Sequence, residues 1–317
     1  MSILIAGAHG YIGHRLISMF SEYSLSAVGC VRTVSQSEAL NSESIVIEDI
    51  VSFGQWDEII NGYASVIHLA GRAHVLSDSS NSNIEEFRKV NRDATLRLAK
   101  SASTAGLRRF IYVSSIGVLG RSASMEHAFN NDSIYDPKEP YAISKMEAEI
   151  GLKEISESTG MEIVIIRPPL VYGPAAPGNF QRLLKLVDTG LPLPLARMNA
   201  IKSMISLENL CDLLVRTVST PLPKFSKFVV SDGSDWSTAD LVRLIAKYMD
   251  RRQSLFPVPV PLLKAVAAIV GRSEDIHKLA APLVVDGSET AEVLGWSPLQ
   301  SPEDGVRKAV EFYLANK

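Results

Sequence analysis

The feature that most constrains the fold is a group of three glycines directly after the first apolar segment. Residues 2–6 have the composition of a β-strand, Gly7, Gly10 and Gly13 follow, and an amphipathic helical pattern begins among them. In this context the first glycine permits a tight turn, the second lets a pyrophosphate approach the backbone, and the third lets the helix pack closely on the strand. The spacing therefore predicts a dinucleotide-binding turn, with a purely structural turn as the alternative.

Strand-length and helix-length segments alternate through the first half of the chain. Apolar, β-branched segments predict strands at Ser2–Ala6, Ala27–Val31, Ser44–Ile47, Ser65–Leu69, Arg109–Ser114 and Glu162–Arg167. Helical patterns lie between several of them, at Tyr11–Glu22, Ile84–Ala105 and Tyr141–Glu157. Continuously apolar strands that alternate with helices are typical of a parallel sheet covered on both faces. We therefore predict an α/β fold with a Rossmann-type, doubly wound parallel sheet.

The pattern changes after Arg167. Segments 167–180 and 189–204 are rich in proline and glycine, and irregular stretches separate the later helical patterns at Leu207–Val218 and Thr238–Tyr248. We predict an NAD(P)-binding Rossmann domain at residues 1–170. A smaller, mainly substrate-binding region is expected at residues 171–317, partly interleaved with the first.

Composition argues against several classes of protein. The chain has 317 residues, a net charge of -3 and no basic cluster larger than a pair, so nucleic acid is not an expected partner. Cys30 and Cys211 are far apart and fit neither a metal site nor a disulfide framework, which favours the cytoplasm. We expect no signal peptide. The apolar segment 258–271 contains prolines and Lys264, so we expect no membrane span, although contact of this segment with a membrane surface stays open.

The end of the second predicted strand bears on the choice of cofactor. NAD-binding sites usually carry Asp or Glu there to hold the ribose hydroxyls, whereas this chain has Val31-Arg32. A guanidinium matches the geometry of a 2′-phosphate, so NADP(H) is favoured over NAD(H). The alternative is that Arg32 stacks on adenine or points into solvent. Asp49, after the third strand, is a candidate partner for the adenine amino group.

A phenol and an amine follow Pro140 four positions apart, as Tyr141 and Lys145. In a helix both side chains project from one face. A free tyrosine has a pKa of about 10, and a neighbouring ammonium favours the phenolate and lowers that value. The pair therefore predicts a proton-exchanging tyrosine, with a solvated surface contact as the alternative.

Several motifs occur in the order found in one family. They are the glycine turn, Asp49-Ile50, HLAG at 68–71, VNRDAT at 90–95, YVSSIGVLG at 112–120, YxxxK at 141–145, RPPLVYGP at 167–174 and LGWSP at 294–298. The chain resembles the extended short-chain dehydrogenases/reductases, a group that includes nucleotide-sugar epimerases, dehydratases and 4-ketoreductases. Leu119 and Gly71 depart from the usual tyrosine and alanine of this family.

The resemblance assigns roles to individual residues. It implies a catalytic group of Ser115, Tyr141 and Lys145, with Ser114 as the alternative serine. Positions that would contact the cofactor, besides the glycine turn, Arg32 and Asp49, are Tyr11, Ile12, Ile50, Leu69, Ala70, Gly71, Asn91, Tyr141, Lys145 and Pro168. Positions that would contact the nucleotide sugar are Arg72, His74, Ser115, Asn179 and Lys202. No metal ligand is implied.

For some of these positions a purely structural role is the alternative to the functional one. Asn91 would then be a polar helix residue that faces solvent, and Arg72 and His74 would lie in a solvated loop. Lys202 supplies charge without the bidentate fork of the arginine found in many relatives. His68 is interpreted as a core residue rather than a catalyst.

Two reactions need only Tyr141, Lys145, Ser115 and a nicotinamide: 4-epimerisation of a sugar nucleotide, and reduction of its 4-keto form. Dehydration lacks its extra acid and base, because Ile116 and Gly117 stand where dehydratases have Asp-Glu. An epimerase regenerates its cofactor and normally retains NAD, whereas a reductase must exchange it, which suits NADPH. Arg32 therefore favours the reductase.

The resemblance extends to a bacterial branch of surface-polysaccharide enzymes. Its members are either UDP-glucose 4-epimerase-like or reductases that make UDP-N-acetylquinovosamine.

A function of another class is a sensor or scaffold that binds NADP without chemistry. Such relatives lose the tyrosine or the lysine, and this chain keeps both. The predicted helices Ile84–Ala105 and Tyr141–Glu157 resemble those that form a four-helix dimer interface in relatives, so a homodimer is an expectation of the resemblance.

Overall fold

The computed structural model describes residues 2–40, 42–72, 84–252, 254–269 and 279–317. Its strands are β1 (Ser2–Ala6), β2 (Ser26–Val31), β3 (Ser44–Val46), β4 (Ser65–His68), β5 (Arg109–Val113), β6 (Glu162–Arg167), β7 (Leu170–Tyr172), β8 (Ile201–Lys202), β9 (Met204–Ser206), β10 (Phe225–Val229) and β11 (Trp236–Ser237). Seven of them form a parallel sheet in the order β3-β2-β1-β4-β5-β6-β10. The chain extends one way from β1 and the other way from β4, so the predicted doubly wound α/β fold is confirmed.

All six predicted strands are present, and their bounds differ from the prediction by at most one residue. β3 ends at Val46, β4 at His68 and β5 at Val113. The N–H of Ser114 still donates to the Ile166 carbonyl at 2.7 Å, so the residue after β5 stays attached to the sheet. This attachment fixes the backbone that leads to Ser115.

Helices lie on both faces of the sheet and also form a separate layer in the second half of the chain. They are α1 (Tyr11–Glu22), α2 (Val34–Leu40), α3 (Trp56–Ile59), α4 (Ile84–Arg88), α5 (Ala94–Thr104), α6 (Pro140–Thr159), α7 (Asn179–Asp188), α8 (Leu207–Ser219), α9 (Thr238–Tyr248), α10 (Val260–Ile269), α11 (Ser288–Leu294) and α12 (Pro302–Ala315). A proline in the first turn and Gly160 in the left-handed region after the last turn define the ends of α6. The predicted helix Ile84–Ala105 is helical without interruption as far as Thr104, but a π-helical turn at Lys89–Asp93 lies between its α-helical parts, α4 and α5.

Alternate residues of β1 pack on opposite faces of the sheet. Ile3 and Ile5 belong to a core that also contains buried residues of α1 and α8. Leu4 and Ala6 belong to a second core, with α5 and α6. This burial on both faces explains why the strand is apolar without alternation.

The second half of the chain contributes to the sheet of the first half. β10 pairs with β6 over Phe225–Val229 and extends the sheet at that edge, while α8 packs against α1 beside the glycine turn. A third core forms among α7, α9 and α12. The division at residue 170 stays a prediction, because β10 and α8 belong physically to the Rossmann layer.

Among the residues described here, no helix is long and apolar enough to cross a membrane. The same residues contain no cluster of three or more His, Cys, Asp or Glu side chains that could bind a metal ion.

Candidate active site

The predicted catalytic residues and several of the predicted cofactor contacts meet at the carboxyl edge of the sheet. A cleft of about 200 Å³ opens there, where ligands of doubly wound sheets bind. The residues that line it are Ile12, Leu69, Gly71, Val113, Ser114, Ser115, Tyr141, Lys145, Pro168, Pro169 and Val171. A larger groove of about 430 Å³ lies between α1 and α8, near the amino ends of β1 and β2, and contains none of the predicted site residues. The smaller cleft is therefore the candidate active site.

The glycine turn is tightly packed on its inner side and open on its outer side. Gly7 has a φ of 88°, and a Cβ there would lie 2.7 Å from the backbone nitrogen of Ala70. A Cβ on Gly13 would lie 2.3 Å from the Gly7 carbonyl oxygen. Gly10 is exposed, and within 4 Å its Cβ would meet only the Gly7 carbonyl, at 3.2 Å. A pyrophosphate needs this combination of a compact turn and an accessible backbone.

The N-terminus of α1 is suited to an anion. No side chain caps it, and its first turn contains no acidic residue. The first N–H groups of such a helix carry partial positive charge and need partners. The Tyr11 side chain points into the protein, with its hydroxyl 3.1 Å from the Cβ position of Gly173. Contact of Tyr11 with a cofactor would therefore come from its backbone. The turn and the helix together fit a dinucleotide.

The predicted adenosine side of the site lies at the ends of β2 and β3. Arg32 directly follows β2 and is exposed, and its backbone N–H donates to Gln36 Oε1 at 2.9 Å. Asp49 is also exposed and accepts a hydrogen bond from the N–H of Val51 at 3.1 Å. The Ile50 side chain is buried in the core, so its predicted contact could involve only its backbone. These positions leave Arg32 accessible to a 2′-phosphate.

The segment after β4 lies between the glycine turn and the lysine. The N–H groups of Leu69 and Ala70 both donate to the Ala6 carbonyl, at 2.9 and 3.1 Å. A Cβ on Gly71 would lie 3.3 Å from Lys145 Nζ and 3.2 Å from Asn91 Oδ1. The alanine that many relatives have at this position would therefore crowd the ammonium unless it moved slightly.

Tyr141, Ser115 and Lys145 line the same cleft. Tyr141 and Lys145 lie in the first turns of α6, and Ser115 follows β5 opposite them. The Lys145 ammonium donates to the Val113 carbonyl at 3.0 Å and lies 4.6 Å from the centre of the Tyr112 ring. Lys145 is 3% exposed, which rules out a solvated surface contact for the pair.

The expected effect of Lys145 on the tyrosine is not observed. Burial raises the pKa of Tyr141 to about 12, and the nearby Ser115 hydroxyl only partly opposes this rise. Burial also lowers the pKa of Lys145 to about 8, with Glu149 acting in the opposite direction. The prediction of a lowered tyrosine pKa is wrong for the protein by itself, because loss of hydration outweighs other influences on the phenol. At neutral pH Tyr141 is protonated and Lys145 is largely charged.

The two candidate serines have different partners. Ser115 Oγ accepts a hydrogen bond from the N–H of Gly117 at 3.2 Å, and Ser115 lines the cleft together with Tyr141. Ser114 Oγ instead donates to Glu149 Oε1 at 2.5 Å. The geometry supports Ser115 as the residue available to a substrate oxygen.

A buried ion pair that was not predicted lies directly below the cleft. Arg167 Nη2 lies 2.6 Å from Glu149 Oε2, and both side chains have no solvent exposure. Arg167 precedes Pro168, whose carbonyl accepts the N–H of Ile116 at 3.0 Å. The spacing of Tyr141, Lys145 and Glu149, four residues apart in turn, could have indicated the position of the carboxylate on the same helix face.

Asn91 does not face solvent. It is completely buried in the π-helical turn, where its Oδ1 accepts the N–H of Arg72 at 2.8 Å and its Nδ2 donates to Ser144 Oγ at 3.0 Å. It therefore joins the loop after β4 to α6, one residue before Lys145. The predicted contact of Asn91 with a cofactor stays a prediction, because its side chain bonds to other residues of the chain.

His68 is a core residue. Its Nε2 lies 2.8 Å from Thr95 Oγ1, and its ring stacks on Tyr112 with the centroids 5.7 Å apart. Burial, and secondarily the charge of Lys145, lower the pKa of His68 to about 3. The ring is neutral at physiological pH and takes no part in the cleft.

The predicted substrate contacts are more widely spread. Arg72 is half-buried beside Asn91, whereas His74 lies outside the described residues. Asn179 is exposed at the start of α7, away from the lining of the cleft. Lys202 Nζ donates to the Ala281 carbonyl at 2.6 Å, so its ammonium is held by the chain itself. The structure thus brings Ser115 to Tyr141 but does not gather all of the predicted sugar contacts.

Residues 3–193 match the model of the NAD-dependent epimerase/dehydratase family. The chain belongs to this family. It is therefore an enzyme of the extended short-chain dehydrogenase/reductase type, with an NAD-type dinucleotide as cofactor and nucleotide sugars as the substrates of its relatives.

Similarity extends over the whole chain. A UDP-glucose 4-epimerase of Vibrio cholerae is 34% identical over 316 residues, which cover 99% of this chain and 95% of that protein. The structure of a UDP-glucuronic acid 4-epimerase from Bacillus cereus, in complex with UDP-glucuronic acid and NAD, covers 100% of both chains at a TM-score of 0.80 and 20% identity. A dTDP-glucose 4,6-dehydratase from Streptomyces venezuelae, with NAD bound, gives a TM-score of 0.79 at 19% identity and covers 100% of this chain and 98% of its own. The two solved structures support the fold.

Proposed function

We propose that this enzyme carries out hydride transfer at C4 of a UDP-linked sugar, with Tyr141 exchanging the proton of the C4 oxygen. The observation that supports this most directly is that Ser115, Tyr141 and Lys145 line one cleft, with the buried Lys145 ammonium donating to the Val113 carbonyl. The uridine diphosphate is inferred from the relatives named above. When bound, a nicotinamide cofactor supplies or accepts the hydride.

Each residue of the cleft has a distinct part in this proposal. Ser115 holds the C4 oxygen by a hydrogen bond, and Tyr141 donates a proton to it or removes one. Lys145 provides positive charge next to the phenol and a donor for the nicotinamide ribose. The glycine turn and the N-terminus of α1 bind the pyrophosphate. Asn91 fixes the loop after β4 against α6.

Net reduction of a 4-keto sugar nucleotide with NADPH is the first candidate reaction. Arg32 stands exposed where a 2′-phosphate would bind and replaces the acidic residue typical of NAD sites. Burial also keeps Tyr141 protonated at neutral pH, the form that donates a proton to an alkoxide. The relatives give this candidate no specific support.

A 4-epimerase of UDP-glucose or UDP-N-acetylglucosamine is the second candidate. It is favoured by the Vibrio cholerae relative, which is named a UDP-glucose 4-epimerase. Dehydration is not proposed, because Ile116 is buried in an apolar cluster and Gly117 has no side chain, so neither can act as an acid or base.

One set of measurements separates these candidates. The purified protein is denatured, and the released nucleotide is identified by mass spectrometry and absorbance. Retained NAD together with interconversion of UDP-glucose and UDP-galactose, or of the N-acetylated pair, supports the epimerase. NADPH oxidation with UDP-4-keto-6-deoxy-N-acetylglucosamine supports the reductase. Binding of NADPH without turnover of any of these sugars would instead support the sensor or scaffold.

The cellular setting is part of the proposal. We infer a cytoplasmic homodimer that supplies sugars for surface polysaccharides, with α5 and α6 at the dimer interface. Ile150 on the outer side of α6 is 43% exposed, as an apolar interface residue would be in an isolated chain. A molar mass near twice 34.5 kDa in light scattering is expected, and a mass of one chain would reject the dimer.

A further inference from the structure

An ion pair lies below the cleft with no part in the chemistry proposed above. Glu149 and Arg167 are both fully buried. Taking two charges out of water is costly, and an ion pair in the core is often no more stabilising than apolar residues of similar volume. Stability alone is therefore a weak explanation for this pair.

The carboxylate of Glu149 bonds to more than the guanidinium. Its Oε1 accepts a hydrogen bond from Ser114 Oγ at 2.5 Å, and its Oε2 accepts one from the Tyr135 hydroxyl at 2.9 Å. Arg167 donates to it through Nε and Nη2, with distances between 2.6 and 3.2 Å. Both carboxylate oxygens are thus fixed in position.

These bonds join the three elements that carry the site. Glu149 lies one turn beyond Lys145 on α6. Ser114 directly precedes Ser115 after β5, and it follows Val113, whose carbonyl accepts the Lys145 ammonium. Arg167 ends β6, immediately before the cleft residue Pro168.

We propose that Glu149 is a positioning residue that fixes Ser115 and Lys145 relative to Tyr141, acting through Ser114 and Arg167. This role of Glu149 rests on the proposed function only where an effect on turnover is expected. Glu149 itself contacts neither the substrate nor the cofactor. It holds in place the residues that do.

The charges around Lys145 give Glu149 an electrostatic effect as well. The groups around Lys145 come from three elements. They are Tyr141 and Glu149 of α6, Tyr112 and the Val113 carbonyl of β5, and the neutral His68 of β4. The charge of Arg167, on β6, is balanced by Glu149. Burial lowers the pKa of Lys145, and Glu149 acts to raise it.

The first test measures the titration of Lys145 directly. Lysine is labelled with ¹³C at Cε, the Lys145 signal is assigned with Lys145→Arg, and its midpoint is compared between wild type and Glu149→Gln. We expect the midpoint to fall by about one pH unit in Glu149→Gln, because the nearest negative charge is lost. An unchanged midpoint would overturn the proposal.

The second test compares two variants that each remove one hydrogen bond to Glu149. Ser114→Ala removes the hydrogen bond to Glu149 that lies next to Ser115. Tyr135→Phe removes the other hydroxyl bond to Glu149, which comes from outside the strands of the site. The phenylalanine ring can still lie against Arg167. We expect kcat to fall about tenfold in Ser114→Ala with little change in KM, and to stay within about twofold of wild type in Tyr135→Phe. Equal values of kcat in the two variants would contradict the positioning role.

The two tests also separate this proposal from the proposed function. A wild-type protein without turnover of any sugar nucleotide rejects the proposed function, and the Lys145 titration still decides on Glu149. If Glu149→Gln fails to fold, the comparison of Ser114→Ala with Tyr135→Phe decides.

Discussion

Tyr141 and Lys145 are each tuned mainly by the loss of water. The Tyr141 and Phe87 rings meet in an edge arrangement, with ring centroids 6.3 Å apart. The ammonium is enclosed by Tyr112 and the Val113 carbonyl. Burial disfavours the charged form of each group. A proton therefore stays on the tyrosine and is held less tightly by the lysine.

Replacing Tyr141 by phenylalanine tests the proton transfer itself. We expect turnover in Tyr141→Phe to fall about 10²- to 10⁴-fold, because the ring stays in place while the exchanging proton is lost. Cofactor affinity, measured by NAD(P)H fluorescence, should stay near the wild-type value. Tyr248→Phe removes an exposed hydroxyl that bonds Glu303 and serves as the control. Wild-type activity in Tyr141→Phe would reject the assignment.

The titration of Lys145 predicts an alkaline limit to activity. The ammonium is present below a pKa of about 8 and is lost as pH rises through it, so kcat should decline over that range in a pH profile.

The same group affects stability in the opposite direction. Between about 8 and the ordinary value of 10.5, the unfolded chain binds the proton more tightly than the folded one, so the contribution of Lys145 to stability increases with pH. A decline in kcat that coincides with unfolding, measured by circular dichroism, would contradict this explanation.

Arg32 should distinguish the two dinucleotides. In Arg32→Ala, we expect the affinity for NADPH to fall about 10- to 100-fold, the loss of a charge-assisted bond to phosphate, with little change for NADH. Titration calorimetry with both cofactors measures this ratio, and NADH is the internal control. Equal losses for the two would remove the preference for NADP.

At the scale of elements, the contact between the glycine turn and α1 determines the shape of the cofactor site. A Cβ at Gly13 would collide with backbone at 2.3 Å, so Gly13→Ala must displace α1 from the turn. We expect at least a tenfold loss of dinucleotide affinity, because the helix N-terminus no longer faces the pyrophosphate. Gly54→Ala, where nothing lies within 4 Å, is the matched control and should bind normally. Normal binding by Gly13→Ala would show that the turn is only structural.

The regular elements could be predicted because their signals are local. Apolar strands, spaced glycines and the tyrosine–lysine spacing each appear within a few neighbouring residues. The π-helical turn could not be predicted, since it depends on the bonds of Asn91 to Arg72 and Ser144 across the fold. The partners of Glu149 were missed for the same reason, because Arg167 and Ser114 come from two other elements. The prediction that the pKa of Tyr141 is lowered is wrong for the protein by itself, because the sequence shows the neighbouring charge but not the burial of the phenol.

In the whole molecule, the sheet and α1, which form the predicted cofactor site, are supported by residues from the second half of the chain. Leu210, Leu213 and Leu214 of α8 have no solvent exposure and pack into the core that supports α1. Burying three such side chains contributes about 5–9 kcal/mol, which is comparable to the whole stability of a typical domain, about 5–15 kcal/mol. The region that matches the family model, residues 3–193, lacks both α8 and β10.

This dependence gives a prediction for a truncated chain. Residues 1–193 alone should show no cooperative unfolding in urea and no protected amides in β1, since one face of the sheet is uncovered. Hydrogen exchange by mass spectrometry on the fragment and the full chain measures the difference. A fragment with a sharp transition and cofactor binding would mean that the first 193 residues fold by themselves.

The distant origin of α8 and β10 also affects synthesis on the ribosome. The glycine turn is translated within the first 13 residues, but β10 is completed only at Val229. At about 5–20 residues per second, the nascent chain exposes an incompletely covered apolar sheet for about ten to forty seconds. During that interval the emerging polypeptide is vulnerable to aggregation and to chaperone capture, and slow codons placed between α6 and α8 would lengthen it.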